Sequence, residues 1–213
     1  MDFVCDNMYK KMIKRLLDIV FSLICLSILA IPMMIFALVI KLDSKGPVLF
    51  WQKRVGRNKE IFMMPKFRSM YVDTPHDVPT HLLQDPQRWI TPVGRLYRKF
   101  SIDELPQIFC ILAGKMSIVG PRPALWNQYD LIAERDKYHA NDIRPGLTGW
   151  AQINGRDELE ISAKARLDGE YLERMSFLFD IKCIFGTVLP VLFHKGVVEG
   201  CTEDIAEQNT ARK

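Results

Sequence analysis

Residues 19–40 read Ile19-Val20-Phe21-Ser22-Leu23-Ile24-Cys25-Leu26-Ser27-Ile28-Leu29-Ala30-Ile31-Pro32-Met33-Met34-Ile35-Phe36-Ala37-Leu38-Val39-Ile40, 22 positions without a formal charge. About 20 apolar residues suffice for a helix to cross the hydrocarbon core of a bilayer. The run is too long for the apolar part of a cleavable signal peptide, and no small-residue cleavage site follows it. Its length also argues against a buried helix of a soluble domain. Lys10, Lys11, Lys14 and Arg15 precede it, and Lys41 and Lys45 follow. Positive residues favour the cytoplasmic side, and here both ends are positive. Pro32 removes the backbone bond to the Ile28 carbonyl and predicts a bend just past the middle. Two geometries stay open: a helix that spans, and a re-entrant helix that returns to the face it entered. The second needs a mild or shielded bend, because unpaired backbone in lipid is costly.

The remaining chain is too rich in charge for a polytopic membrane protein. The 213 residues suit one domain with an appendage. The net charge of +4 is unevenly spread: residues 1–70 hold 12 Lys/Arg against 5 Asp/Glu, so the remainder is net negative. A basic first third beside an apolar run points to anionic headgroups or an anionic substrate. Cys5, Cys25, Cys110, Cys183 and Cys201 are scattered, without a C-x-x-C spacing and without clustered histidines. That argues against both a disulfide framework and a zinc site, and for a reducing cytoplasmic setting.

Past Gly46-Pro47, Val48-Leu49-Phe50-Trp51 reads as a strand, Arg57-Asn58 as a turn and Ile61-Phe62-Met63-Met64 as its hairpin partner. Lys66-Phe67-Arg68-Ser69-Met70 alternates basic and apolar residues, as an exposed edge or a phosphate-binding lip would. Residues 74–92 carry Pro75, Pro79, Pro86 and Pro92 and predict an irregular loop, long enough to serve as a lid or binding wall. Helices are expected over 93–100, 124–138 and 159–175. Residues 177–193 are apolar but hold Asp180, Lys182 and Pro190. Their unbroken part is too short to span, so they predict a helix resting on the membrane or on the first segment. After the turn-rich 144–150, Trp150, Gln152 and Asn154 alternate, a pattern suited to stacking on and hydrogen-bonding a base or sugar, and equally to loop packing. Residues 199–213 read as a disordered tail.

The chemistry concentrates in Ser101-Ile102-Asp103-Glu104-Leu105-Pro106-Gln107 and in Met116-Ser117-Ile118-Val119-Gly120-Pro121-Arg122-Pro123. Pro106 is tolerated in a first helical turn, which predicts a helix starting near Asp103 and stopping at Gly114. An acid there is stabilised by free amides and the helix dipole without any chemistry. The alternative is an ionised nucleophile with a second carboxylate beside it. Arg98, five residues earlier, would keep the acid ionised and could hold a phosphate. Arg122, between two prolines, is either a stiff extended turn or a guanidinium on a rigid mount.

Taken together, these two stretches, Lys66-Phe67-Arg68-Ser69-Met70 and Arg144-Pro145-Gly146-Leu147-Thr148-Gly149-Trp150-Ala151-Gln152-Ile153-Asn154-Gly155-Arg156 resemble the bacterial sugar transferases, and more narrowly the small monotopic phosphoglycosyl transferases of the PglC type. The resemblance implies transfer of a sugar 1-phosphate from a UDP-sugar to polyprenyl (undecaprenyl) phosphate with release of UMP, the first membrane step of glycan assembly. It implies Asp103 as nucleophile, forming a phosphosugar–aspartyl intermediate, and Glu104 as its helper, either a metal partner or a base for the lipid phosphate. Mg²⁺ is implied, held by Asp103 and Glu104 against the diphosphate. Lys66, Arg68, Arg98 and Arg122 would neutralise phosphate charge, with Gln152, Asn154 and Asp168 also near substrate.

The fold class expected is mainly α with a small β-hairpin (α+β): an N-terminal polar segment (1–10), a re-entrant membrane helix (11–43), a compact cytoplasmic catalytic domain with membrane-surface helices (44–198) and a tail (199–213). The expected location is the cytoplasmic face of a bacterial inner membrane. Expected partners are the UDP-sugar, polyprenyl phosphate and membrane lipids, with a second copy or downstream glycosyltransferases as protein candidates. Around 74–83 and 123–129 the chain is similar to members using amino-6-deoxyhexoses. Nucleic acid is excluded, because the basic residues flank an apolar segment rather than interleave with aromatics. A catalytically silent scaffold is the competing reading. Two positions depart from the family pattern: Ile31 stands where a serine precedes the membrane proline, leaving Ser27 to satisfy the bend, and Lys115 stands where many relatives carry an acid.

Overall fold

The computed structural model describes residues 9–74, 85–155 and 159–193. Residues 1–8, the centre of the proline-rich loop, Arg156 and the tail at 199–213 lie outside the described residues. So does most of the 74–83 stretch similar to amino-sugar-using members.

One π-helical turn, Tyr9–Ile13, leads into helix α1, Lys14–Asp43. Its 30 residues reach about 45 Å at 1.5 Å per residue. The helix continues through Pro32. Ser27 does not serve the Ile28 carbonyl; its hydroxyl donates to the Leu23 carbonyl oxygen, 2.9 Å away. Leu23, Ile24, Ile28, Ile31, Met34, Ile35 and Leu38 are all more than half exposed. Only 6 % of the most apolar window is buried in the fold, which rules against a soluble core helix. Such a surface needs an apolar surround, and α1 is the membrane-associating element.

Both ends of α1 dock on the folded part. Near its start, Arg15 donates to the carbonyls of Ile111 (2.6 Å) and Leu112 (2.8 Å), and Lys14 pairs with Asp180 at 2.5 Å. Near its end, Met33, Phe36, Ala37 and Ile40 pack with Phe67 and Tyr97. The Tyr97 hydroxyl donates to the Phe36 carbonyl at 2.9 Å.

Strands β1 (Leu49–Val55) and β2 (Ile61–Phe67) form an antiparallel hairpin in register from Leu49↔Phe67 to Val55↔Ile61. It is longer than its apolar runs suggested, because Pro65 opposite Trp51 is tolerated in a two-stranded ladder with free edges. Asn58 and Lys59 take positive φ in the connecting turn. Phe62 and Met64 reach inward to Cys110, Ile111 and Met116. A short α2 (Pro86–Trp89) precedes α3 (Pro92–Lys99), which is capped by the Thr91 hydroxyl accepting from Gly94 N at 2.9 Å. Gly94 lies so close to the Ser69 carbonyl that a Cβ would sit 1.9 Å from its oxygen.

The acidic stretch corrects an expectation. Asp103 does not cap an α-helix. Ser101 turns the chain with φ 54, Ile102–Gln107 is a 3₁₀ turn, and α4 (Ile108–Leu112) starts only afterwards. Pro106 cannot supply an α-helical donor, so the bonded run stays short. Gly114 ends the segment with φ 78, as expected.

The parallel pair β3 (Ser117–Val119) and β4 (Gly146–Thr148) was not anticipated, since three-residue strands leave no periodic signature. Between them, α5 covers only Tyr129–Asp136 rather than 124–138. Leu125 instead bridges to Arg54, and its amide donates to Gln128 Oε1. The chain closes with α6 (Trp150–Ile153), α7 (Ile161–Arg174) and α8 (Phe177–Phe193), the last two close to their predicted bounds. The observed class is mostly helical with two small sheets.

Candidate active site

Three elements bring charge to one place. β2 presents Lys66 next to its last residue, the 3₁₀ turn packs on β2 and presents Asp103 and Glu104, and the turn after β3 presents Arg122. Lys66 Nζ donates to Glu104 Oε1 at 3.0 Å. Arg122 Nη2 donates to the same oxygen at 2.8 Å, and its Nη1 lies 3.4 Å from Oε2. Burial alone would raise the Glu104 carboxyl, but the charges and hydrogen bonds of Arg122 and Lys66 hold it well below the usual carboxylate range. Burial lowers Lys66 despite the two acids beside it.

Asp103 differs from its neighbour. It too is buried, and desolvation pushes its carboxyl up to about 6. Lys66, Arg98 and Arg122 pull it down, while the Glu104 charge pushes it further up. Two adjacent carboxylates in one site therefore titrate apart: Glu104 is a fixed anion held by two cations, and Asp103 is a carboxylate whose charge is incompletely compensated. That is the usual setting of a group doing chemistry.

Backbone closeness mounts Arg122. Gly120 N donates to the Thr148 carbonyl and Gly146 N to the Pro121 carbonyl, both at 2.8 Å. A Cβ on Gly146 would lie 2.1 Å from Gly120 N, and one on Gly149 the same distance from Gly120 O. Only glycines let the 144–150 loop close on the Pro-Arg-Pro turn this tightly. Arg54 Nη1 donates to the Pro123 carbonyl at 2.8 Å, and Arg135 Nη1 to the Arg122 carbonyl at 3.0 Å. Neither Arg54 nor Arg135 stood out in the sequence: Arg54 lies beyond the predicted strand Val48–Trp51, and Arg135 sits within the predicted helix 124–138 with no motif around it.

The other sequence candidates lie differently. Arg98, in the last turn of α3, acts on Asp103 through its charge. Arg68 does not face the carboxylates; its guanidinium donates to the Lys45 carbonyl and to Ser44 O (2.8 Å) and Oγ (3.0 Å), closing the end of α1. Asp168 is also elsewhere, its Oδ2 accepting from Arg135 Nε at 2.8 Å and Nη2 at 2.6 Å, with both side chains at most 4 % exposed. It reaches the site through Arg135, which in turn donates to the Arg122 carbonyl. Trp150, Gln152 and Asn154 do not share one face, because their segment is helical rather than extended. Gln152 Nε2 donates to the Leu147 carbonyl and Asn154 Nδ2 to the Trp150 carbonyl.

No group of three or more His, Cys, Asp or Glu comes together among the described residues. Magnesium takes one or two carboxylates and completes its shell with water and substrate phosphate. The pair fits that mode, and Asp103 fits it better, since both Glu104 oxygens already face cations.

The model of the family described as bacterial sugar transferase matches residues 9–194. The chain belongs to the bacterial sugar transferase family. Among similar sugar transferases, the "Undecaprenyl-phosphate glucose phosphotransferase" of Komagataeibacter xylinus is 41% identical over 192 residues, covering 85% of this chain and 36% of that protein. The "UDP-glucose:undecaprenyl-phosphate glucose-1-phosphate transferase" of Escherichia coli (strain K12) is 40% identical, covering 87% of this chain and 41% of that protein. The "Uncharacterized sugar transferase EpsL" of Bacillus subtilis (strain 168) is 38% identical, covering 87% and 90%. The chain thus spans well under half of the first two relatives and nearly all of the third.

Proposed function

We propose that this sugar transferase moves a sugar 1-phosphate from a UDP-sugar to polyprenyl phosphate and releases UMP. The observation that carries the reading is the split carboxylate pair, with Glu104 locked between Lys66 and Arg122 and Asp103 left as a buried, incompletely compensated anion. In the first step an Asp103 oxygen attacks the phosphorus next to the sugar. The P–O bond to the uridylyl phosphate breaks, and UMP leaves with the electron pair. In the second step a polyprenyl phosphate oxygen attacks the same phosphorus, and the Asp103 carboxylate is released. Lys66, Arg98 and Arg122 neutralise charge as it moves to the leaving phosphate. Glu104 holds Lys66 and Arg122 in place, and its depressed pKa makes it a poor base. Magnesium, held by Asp103 with the donor diphosphate, would supply further neutralisation of phosphate charge.

The reading includes a re-entrant α1 on the cytoplasmic face. Its support is the basic residues at both ends and the docking of both ends on one folded part. A polyprenyl phosphate headgroup and a water-soluble nucleotide sugar can then meet at a single interface.

The test is UMP release across a panel of UDP-sugars, amino-6-deoxyhexoses included, with undecaprenyl phosphate as acceptor. Wild-type protein should release UMP with at least one donor and show a mass adduct of one phosphosugar. Asp103→Asn should lose both. Full turnover by Asp103→Asn sinks the nucleophile assignment, and no UMP from any donor favours the scaffold reading.

A further inference from the structure

β3 is an edge strand on one side. Among the described residues it pairs with β4 alone, so the donors and acceptors on its other edge need partners from elsewhere. The first turns of α1 supply them. Asp18 is 4 % exposed, and its Oδ1 accepts from Ile118 N at 3.0 Å and from Ser117 Oγ at 3.1 Å. The next group along the edge is the Val119 carbonyl, 3.1 Å from the Tyr171 hydroxyl. That hydroxyl lies 2.7 Å from Asp180 Oδ1, its one proton shared between the two acceptors. Asp180 Oδ2 in turn accepts from the Tyr9 hydroxyl at 2.6 Å and from Lys14 Nζ at 2.5 Å. Both ties on the open edge of β3 therefore lead back to residues 9–18.

The residues directly after β3 are Gly120, Pro121 and Arg122. Two prolines and the close glycine contacts leave this turn little freedom of its own, so a shift of β3 is carried to the Arg122 guanidinium. Asp18 is a costly choice if its only task were to bury helix surface, since a buried carboxylate requires full hydrogen bonding. An apolar residue would pack there at lower cost but would leave Ile118 N without an acceptor.

We infer that Asp18 is a positioning residue: through β3 it sets the Arg122 guanidinium against Glu104 and the donor phosphates, which makes phosphate recognition depend on the seating of the membrane helix. The inference rests on the proposed function only where it speaks of donor phosphates.

The experiment uses the full chain in nanodiscs of phosphatidylethanolamine and phosphatidylglycerol, with UDP as the probe. Hydrogen exchange is followed over residues 117–122, and UDP affinity is measured by calorimetry. Asp18→Ala should raise exchange over 117–122 without raising it in the β1–β2 hairpin. It should weaken UDP binding about tenfold, the scale of one lost hydrogen bond. Asp18→Asn keeps an Oδ1 acceptor and should stay close to wild type on both measures. In an Arg122→Ala background, Asp18→Ala should add less than about twofold, because the two act on one contact. Unchanged exchange over 117–122 in Asp18→Ala overturns the inference, as does an equal affinity loss in both backgrounds. If Asp18→Ala does not accumulate, Ser117→Ala removes one of the two donors and carries the same comparison with a smaller expected effect. Failure of wild-type protein to bind UDP would count against the proposed function alone, and the exchange data would still decide the role of Asp18.

Discussion

Asp168→Ala separates a substrate contact from a structural anchor. In the structure Asp168 Oδ2 takes two N–H groups of Arg135, and both side chains are almost wholly buried. Removing the acid leaves a guanidinium in the interior without its counter-charge, a loss of about 3–5 kcal/mol. For a chain of this size each kcal/mol moves Tm by roughly 2–4 °C, so a drop of roughly 6–20 °C is expected. Replacing both partners, as in Arg135→Met/Asp168→Leu, removes the unpaired charge and should restore most of the stability. Activity should not return with it. Arg135 Nη1 also donates to the Arg122 carbonyl, and that bond is gone in the double variant. Its loss should leave UMP release about tenfold below wild type. The assay pairs thermal unfolding in nanodiscs with UMP release at saturating donor. An Asp168→Ala protein with unchanged Tm and weakened UDP binding would refute the buried-pair reasoning and restore Asp168 as a substrate contact. A double variant with restored Tm and full turnover would refute the support of Arg122 through Arg135.

The pH profile of UMP release should have an acid limb near 6, because the Asp103 carboxylate, the proposed nucleophile, is protonated as pH falls through that value. Glu104→Gln removes the charge that pushes Asp103 up, so the limb should move to lower pH even as the plateau rate drops; a limb that stays put argues against coupling of the pair. Stability should run the other way. An Asp raised above its unfolded value contributes stability that is present below the unfolded pKa near 3.8 and lost as pH rises through about 6. Asp103→Asn should therefore be more stable than wild type at pH 8, with the gap closing towards pH 4 in denaturant unfolding. Arg68→Ala should lower Tm more than it weakens UDP binding, since Arg68 closes the end of α1, whereas Lys66→Ala should do the reverse; equal effects of the two would return Arg68 to the phosphate site.

The carboxylate pair shows how far local reading reached. Asp103, Glu104, Lys66 and Arg122 were named from short motifs and Arg98 from its place five residues before Asp103, and the structure brings them together. Arg68 was placed with them because it sits two residues from Lys66. In the structure the chain has left β2 at Phe67, and Arg68 turns back to the carbonyls at the end of α1. Asp168 was grouped with substrate although Arg135 absorbs its charge. The alternation of Trp150, Gln152 and Asn154 suggested an extended face, but the helical turn at Trp150–Ile153 leaves Asn154 beside Trp150 and swings Gln152 to the other side.

Sequence alone determined the long apolar helix, the hairpin, the two C-terminal helices and the family. These follow from composition, periodicity over many residues and motif identity, all of which are local in the chain. Tertiary structure decided which acid is the fixed anion and which the raised one, because that depends on where two cations from distant segments point and on how much water is excluded. It also decided the parallel β3–β4 pair and the use of Asp18 as the partner of its open edge. Ser117 and Asp18 are 99 residues apart, and no local pattern in either segment encodes a contact that exists only after both have been packed.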